Sequence, residues 1–407
     1  MENRERDIYT NKVGNLIAKL ITFLGEPKVG RCLKRYKHSL EISDTVFRDY
    51  YLKNRHPWFN AISQYYELTD QAKSIHRHLT PELKALATDA KKVITLQNQM
   101  PDSVKSKYKR DLLDLDSARN YLFELQIAWH FFVRNWDIRW YEADSDKHPE
   151  FAVKAPDLDF DVEYKWISVD IARKIHRRDF YRFADQLIPR IAKRKYAGRI
   201  DITLKNRLDR KNVSALSKSV LKVIDSGFLR GDRDITHLGS MVLDMKEASE
   251  MLVDVNQCTK QVYERKSDEA HGAVFGKAKG TKIIDPIKIT VTSEKADKVL
   301  DEIKERISKA ETQLNESRPG LIVCFLEGIN GYELQELGSE SGLQAMTNYV
   351  LNKDTFSYVI GIGYSSESMV MKGHQFEHVF SPGLFFRNHK CKYETAKTLD
   401  FLSPQKL

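Results

Sequence analysis

Three charged side chains in one short segment are candidates for shared chemistry. The stretch PDLDFDVEYKW, residues 156–166, alternates like a strand and contains Asp157, Glu163 and Lys165. Glu163 and Lys165 are separated by a single residue, so they lie on the same face of a strand. Carboxylates that converge repel one another and lose solvation, so fold stability does not explain their presence.

A divalent cation would explain such a cluster. Mg²⁺ prefers oxygen ligands and keeps several waters, so two or three carboxylates and a substrate phosphate suit it. The cation stabilises charge that develops on a phosphate and acidifies a bound water, and a lysine beside it can orient that water. These residue types therefore indicate metal-assisted hydrolysis of a phosphodiester.

The second carboxylate depends on where the segment turns. We predict that Asp157 ends one strand, that a tight turn lies at Asp159–Asp161, and that the next strand presents Glu163. Asp157 and Asp159 share a strand face by parity, so the pattern alone does not separate them. A hairpin needs at least two turn residues and turns tolerate acids, which favours Asp157 as the ligand. Asp159 or Asp161 would be the ligand if the register differed by two residues.

The elements around this segment predict an α/β domain. Residues 115–135 form an amphipathic helix pattern that carries Glu124, which we expect to reach the same end of the sheet. Residues 136–144 read as a short strand, and the apolar run PGLIVCFL, residues 319–326, reads as a strand buried on both faces. The glycines of HGAVFGKAKG, residues 271–280, favour a loop. Alternating strands and helices predict one domain around a mixed sheet over residues 113–407.

Residues 1–112 predict an all-helical N-terminal region. An apolar helical pattern ends at Gly25, and a second helix begins with Thr80 as N-cap and Pro81 as its first residue. This region has no pattern that indicates catalysis. We expect it to serve recognition, homodimer formation or docking of a partner subunit.

A basic segment follows the charged cluster. Between residues 173 and 218, lysines and arginines outnumber acids, and aromatic residues are interleaved. The pattern suits a track for nucleic-acid phosphates, and an exposed, solvated helix face is the alternative. The candidate nucleic-acid-binding residues are Arg177, Arg178, Lys193, Arg194 and Lys195.

The amino-acid composition indicates which classes of protein the chain can belong to. The 407-residue chain is 41% hydrophobic and 30% charged, as expected of a globular protein, and its net charge of +9 fits a nucleic-acid partner. No apolar run reaches membrane-spanning length, so we expect no membrane association. The first residues lack signal-peptide order, and the four cysteines form no CxxC pair, so we expect a cytoplasmic protein.

The segments FELQIAWHFF, Pro156-Asp157 and Glu163-Tyr164-Lys165 together resemble the PD-(D/E)xK nuclease superfamily. The resemblance implies a restriction-endonuclease-like α-β-β-β-α-β core and phosphodiester hydrolysis with Mg²⁺, for which Mn²⁺ would substitute. It also implies that Asp157 and Glu163 bind the metal, that Lys165 acts on the water, and that Glu124 is an auxiliary acid and metal ligand. The expected activity is that of a DNA endonuclease of restriction or phage-defence type.

The last helix and strand of the predicted core can be assigned to two different stretches of the sequence. The stretch from residue 305 to residue 328 provides a helix and a well-buried strand, and this assignment makes residues of about 170–285 a basic insertion. The rival assignment uses residues 177–195 and 198–204. We favour the later pair because its strand is the better candidate for burial.

Two further interpretations of the chain stay open. It could be a non-catalytic nucleic-acid-binding protein of the same fold, or an interaction protein whose basic face contacts an acidic partner. Chelator-sensitive cleavage separates the first of these from a nuclease, and a steep salt dependence of DNA binding argues against the second.

Overall fold

The structure is a computed structural model that describes residues 8–43, 45–141, 148–235, 237–254, 270–329, 331–339, 342–366 and 383–397. These residues form a mixed α/β protein with a helical N-terminal region and two mixed sheets. The coarse prediction of a mixed α/β fold with an N-terminal helical region is confirmed.

Helices occupy the described chain up to residue 132, and strands begin at Asp137. The helices are α1 (Val13–Leu24), α2 (Glu26–Glu41), α3 (Thr45–Tyr50), α4 (Phe59–Asp70), α5 (Pro81–Leu96), α6 (Asp102–Asp111), α7 (Ala118–Phe132), α8 (Val169–Ala172), α9 (Arg177–Lys193), α10 (Val213–Asp225), α11 (Val299–Glu311), α12 (Gly331–Ser339) and α13 (Gly342–Leu351). The strands are β1 (Asp137–Trp140), β2 (Phe151–Lys154), β3 (Asp159–Ser168), β4 (Tyr196–Leu204), β5 (Arg230–Ile235), β6 (Gly239–Glu247), β7 (Leu252–Asp254), β8 (Ala270–Lys279), β9 (Lys282–Ser293), β10 (Gly320–Glu327), β11 (Val359–Ser366) and β12 (Leu384–Arg387).

Helix boundaries in the N-terminal region follow local sequence signals. α1 ends at Gly25, whose φ of 88° is readily adopted only by glycine. α5 begins after Thr80, whose hydroxyl accepts a hydrogen bond of 3.3 Å from the backbone N–H of Leu83. Both predicted boundaries are confirmed.

The first sheet has the strand order β1-β2-β3-β10-β11-β12. β1, β2 and β3 pair antiparallel, and β3, β10 and β11 pair parallel. β10 lies in the centre and is buried on both faces, as its continuous apolar sequence predicts. The sequence offered two helix–strand pairs to complete the core, α11 with β10 and α9 with β4. β10 pairs with β3 in the first sheet, whereas β4 belongs to the second sheet.

The N-terminal helices share a hydrophobic core with this sheet. One cluster of buried residues includes Ile17 of α1, Leu86 of α5, Phe131 of α7 and Phe160 of β3. The described chain divides into two compact units, and the first contains the described residues up to 41, residues 54–169 and the described residues from 300 onward. The helical region over residues 1–112 is therefore not a unit by itself: apart from α3, its helices bury apolar residues in the same core as α7 and the sheet.

The second unit has its own sheet and its own core. It contains residues 42–53 and the described part of 170–299, with the strand order β5-β6-β4-β9-β7, and β8 also pairs with β9. α9 and α10 bury Phe180, Phe183 and Leu216 in this core. The sequence predicts one domain over residues 113–407 with a basic insertion at about 170–285, and the second unit comprises residues 42–53 in addition to the described part of 170–299.

Two local predictions also differ from the structure. The glycine-rich stretch 271–280, predicted as a loop, lies largely in β8. A side chain at Gly276 would approach Cγ2 of Ile283 to 2.3 Å, so the glycine permits close strand pairing instead of a turn. The hairpin turn predicted at Asp159–Asp161 lies instead between β2 and β3, at residues 155–158.

The described helices and cysteines show two further features. None of the described helices combines the length and the apolar character needed to cross a bilayer. Cys32 and Cys324 are free thiols, and Cys258 lies outside the described residues.

Candidate active site

Glu163 and Lys165 lie in the middle of β3, between β2 and β10. Their spacing places both on one strand face, as predicted. Glu163 is fully buried, whereas the side chain of Lys165 is 19% exposed. Lys165 Nζ donates hydrogen bonds to Oε1 of Glu163 and to Oε1 of Gln313, which follows α11. The lysine is therefore held between a strand carboxylate and a side-chain amide.

The second carboxylate oxygen of Glu163 is the unusual feature of this pair. Oε2 is buried and has no hydrogen-bond partner among the described residues. Burial raises the pKa of Glu163 from 4.5 to about 8; Lys165 opposes this shift and the charge of Glu150 adds to it. Buried carboxylate oxygens are normally satisfied, so this oxygen is available to a partner that the described residues do not supply.

Glu150 is a member of the site that the sequence pattern did not reveal. β2 pairs antiparallel with β3 through Phe151 and Val162, and the backbone N–H of Glu150 donates to the carbonyl of Val162 at 3.2 Å. Continuation of this register places Glu150 opposite Glu163, so the two side chains share a face of the sheet. The signal in the sequence is Pro149-Glu150 immediately before the strand FAVK.

Glu124 lies within electrostatic range of Glu150 and Glu163, and these three acids are called the acidic cluster. It lies on α7, where Phe123 and Phe131 anchor the helix against β3 through ring contacts with Tyr164 and Phe160. Glu124 is only 3% exposed. Burial, followed by repulsion from Glu150, raises its pKa well above the ordinary value, and Glu163 also contributes. The expected proximity of Glu124 to this end of the sheet thus agrees with the electrostatic coupling of the three acids.

Asp157 is not brought to this cluster. It is exposed in the turn between β2 and β3. Asp159, which is also exposed, begins β3 and lies four residues before Glu163, about 13 Å along the strand. Asp157 lies beyond Asp159, so its predicted convergence with Glu163 loses its geometric basis.

Asp161 is buried but is occupied by other partners. Its side chain is on the same strand face as Glu163 by parity. The Tyr141 hydroxyl donates to Oδ1 of Asp161 at 2.8 Å, and Nε of Arg318 lies 3.5 Å from the same oxygen. Burial raises the pKa of Asp161, and these two partners oppose the shift. Asp161 therefore anchors the beginning of β3 and has a different environment from Glu163.

The predicted nucleic-acid-binding residues fall at the two ends of α9. Arg177 and Arg178 lie in its first turn, and Arg178 is exposed. Lys193 ends the helix and is followed by Arg194 and Lys195, all three exposed. The helix separates these two groups by about 24 Å. Arg194 is engaged in an ion pair with Asp225, so it differs from its two lysine neighbours.

Comparisons with known proteins do not identify the chain. No protein-family model, curated protein or solved structure matches it. Within the described ranges, no three His, Cys, Asp or Glu side chains stand close enough to ligate one metal ion by themselves.

Proposed function

We propose that this protein is a Mg²⁺-dependent nuclease that hydrolyses phosphodiester bonds in DNA, with Glu163 and Lys165 at its reaction centre. The observation that carries the proposal is the buried Oε2 of Glu163, which lacks a partner within the described chain. A structural ion pair is stabilised when both carboxylate oxygens are satisfied. A carboxylate that is half satisfied and lies within electrostatic range of two further acids suits a cation instead.

Glu163 and Glu150 would hold the cation, and Glu124 would be the auxiliary acid. The donor set is made of carboxylates only, which suits a hard ion such as Mg²⁺, and Mn²⁺ would substitute for it. Water and phosphate oxygens would supply the other ligands. When bound, the cation neutralises charge on the phosphate and acidifies a water. Glu150 thus replaces Asp157 in the set assigned from the sequence.

Lys165 would orient the attacking water and stabilise negative charge on the phosphate. Its Nζ lies between Glu163 and Gln313, and these two contacts limit the positions that the ammonium group can take. Gln313 would be a positioning residue, since it acts through Lys165. With 19% of its side chain exposed, Lys165 is accessible beside the buried carboxyl group of Glu163.

The order of elements around the cluster supports the assignment. In the first unit, α7, β1, β2, β3, α11 and β10 occur in the α-β-β-β-α-β order that the resemblance implies, although three helices and six strands of the described chain lie between β3 and α11 in sequence, and β10 pairs parallel with β3. The net charge of +9 is compatible with a DNA substrate. The role in restriction or phage defence rests on the family resemblance alone.

A plasmid-cleavage assay tests this function. Purified protein is incubated with circular plasmid and Mg²⁺, and an EDTA sample is the control. We expect nicked or linear DNA only with Mg²⁺, because cleavage of a circle requires endonuclease action. Binding of DNA without cleavage under any divalent-cation condition would contradict the nuclease proposal and favour a non-catalytic nucleic-acid-binding protein.

A further inference from the structure

The second unit contains a pocket that is distinct from the acidic cluster. It has a volume of about 430 Å³ and is lined by residues of α3, α9 and α10 and of the segments that precede α3 and α10. This volume lies within the range of small-molecule sites, and it exceeds what a single ion needs. The chemistry of the lining residues determines which ligand the pocket would favour.

The charged groups of the lining are two arginines and one aspartate. The aspartate, Asp185, is already used within the fold: its two carboxylate oxygens accept hydrogen bonds of 2.7 Å from the backbone N–H groups of Val46 and Phe47. These charge-assisted bonds hold both carboxylate oxygens at the start of α3, and the two arginines outnumber this single carboxylate in the lining. The arginines therefore dominate the electrostatic character of the pocket.

Arg182 is held in a defined position beside the pocket. Its guanidinium lies 5.3 Å from the ring centroid of Phe47, and Nη1 is 3.4 Å from Oδ1 of Asp179. A guanidinium has five N–H donors, so these contacts leave donors for a ligand. Stacking and pairing reduce the entropy that Arg182 would lose when it binds.

Arg210 is exposed, directly before α10, and it has no ion-pair partner among the residues that the structure describes. The neutral donors Gln186 and Ser214 also line the pocket. Ile42, which is 72% exposed, adds an apolar wall beside Phe47. Two guanidinium groups, neutral donors and an apolar wall suit a phosphate joined to a sugar or base better than a bare anion.

We propose that this pocket binds a phosphate group of a nucleotide, through Arg182 and Arg210 with Gln186 and Ser214 as neutral donors. The phosphate could belong to a DNA backbone or to a free mononucleotide, since both present the same oxygens. The inference does not depend on the nuclease proposal, because it concerns binding in the absence of a metal.

The test uses the full chain in buffer with EDTA, so that DNA remains intact. Adenosine 5′-monophosphate is titrated by calorimetry, and a short DNA duplex is titrated by fluorescence anisotropy at several salt concentrations. The variants are Arg210→Ala and, as a matched control from the same unit, Arg230→Ala. Arg230 is 78% exposed and is paired with Asp244 at 3.0 Å. Thermal unfolding confirms that both variants are folded.

Two outcomes support the proposal and identify the source of the phosphate. For a mononucleotide site, the dissociation constant of the nucleotide rises about tenfold or more in Arg210→Ala and is unchanged in Arg230→Ala. For a backbone site, the free nucleotide does not bind, and Arg210→Ala alone reduces the log–log salt slope of DNA binding by about one. The proposal is overturned if Arg210→Ala and Arg230→Ala bind both probes equally.

An Arg182→Lys variant provides a second measurement. It keeps the positive charge but removes the planar fork that binds phosphate through two N–H groups. We expect weaker binding of the same probe that Arg210→Ala affects. Unchanged binding in both Arg182→Lys and Arg210→Ala would exclude this pocket as the phosphate site.

Discussion

Ionisation of the buried Glu163 lowers the stability of the fold, and the same carboxylate is the proposed metal ligand. Its carboxyl group is fully buried, and its pKa is raised to about 8. In the metal-free protein the native state therefore holds a proton that the unfolded state releases above its ordinary pKa of 4.5. Stability consequently falls as the pH rises from about 4.5 through about 8, since the buried charge must then form within the fold.

Glu163→Gln should remove this dependence. In the presence of EDTA, we expect the variant to be more stable than the wild type at about pH 9, by about 2 to 4 kcal/mol, and similar to it near pH 5. Chemical denaturation at both pH values measures the difference. If Glu163 were a stabilising structural ion pair, the variant would be the less stable protein at the higher pH.

Lys165→Ala should lower the rate of DNA cleavage without a comparable loss of DNA affinity. The lysine has no proposed role in holding DNA, so we expect DNA affinity within about threefold of wild type and a cleavage rate at least tenfold lower, a loss of about 1.4 kcal/mol or more in transition-state stabilisation. Lys154→Ala, at the exposed end of β2, is the matched control. A cleavage rate similar to that of the control would contradict the role assigned to Lys165.

At the scale of the elements, the β2–β3 hairpin shows what the sequence could and could not predict. The shared face of Glu163 and Lys165 follows from strand periodicity and is observed. The predicted turn is misplaced because the acids of DLDFD are compatible with a turn, whereas Phe160 and Val162 are fully buried in β3. The backbone N–H of Asp161 donates to the carbonyl of Pro319, a long-range contact that local patterns do not reveal.

The sequence pattern did not identify Glu150 as the second proposed metal-binding carboxylate. Pro156-Asp157 matches the family motif more closely than Pro149-Glu150, and only the pairing of Phe151 with Val162 reveals that Glu150 is opposite Glu163. Register between strands depends on which residues are buried on each face, and one sequence does not specify it uniquely.

Glu150→Gln and Asp157→Asn test this reassignment. Glu150→Gln should lower the cleavage rate at least tenfold, since it removes a proposed ligand, whereas Asp157→Asn should keep most of the activity because Asp157 is exposed in the turn. The two variants are compared in one plasmid assay with Mg²⁺. Loss of activity in Asp157→Asn with retention in Glu150→Gln would restore the assignment made from the sequence.

The two ends of α9 can be tested as separate contacts for DNA. Lys193→Ala with Lys195→Ala removes the two lysines at one end and keeps the ion-paired Arg194. Arg177→Ala with Arg178→Ala removes the two arginines at the other end. Each phosphate contact that is lost should reduce the log–log salt slope of DNA binding by about one. If a double variant leaves the salt slope of DNA binding unchanged, that end of α9 does not contact DNA and is a solvated surface.

At the scale of the whole molecule, the sequence predicts an insertion at about residues 170–285, whereas the second unit contains residues 42–53 and the described part of 170–299, with a sheet of its own. β3 pairs with β10, although residues 170–299 of the second unit lie between them in sequence. Likewise, residues 42–53 are N-terminal in sequence but belong to the second unit, where Val46 joins the core. Such long-range partners are chosen by complementary apolar faces, and these faces look alike in sequence.

The N-terminal helices illustrate the same limit. Their helical character and two of their boundaries were predictable from local signals. Their place in the first unit was not, because an amphipathic face indicates that a helix packs against something without identifying the partner. The shared core with α7 also gives these helices a structural role in supporting Glu124.

The proposed function of the molecule requires that Glu163 and its acidic neighbours hold a divalent cation. Calorimetric titration of the DNA-free protein with Mn²⁺, at about pH 6 and about pH 9, tests this directly. We predict that the wild type binds more tightly at the higher pH, because Glu163 must lose its proton, and that Glu163→Gln loses this pH dependence and at least tenfold in affinity. Equal affinity of the two proteins for Mn²⁺ at both pH values would contradict the claim.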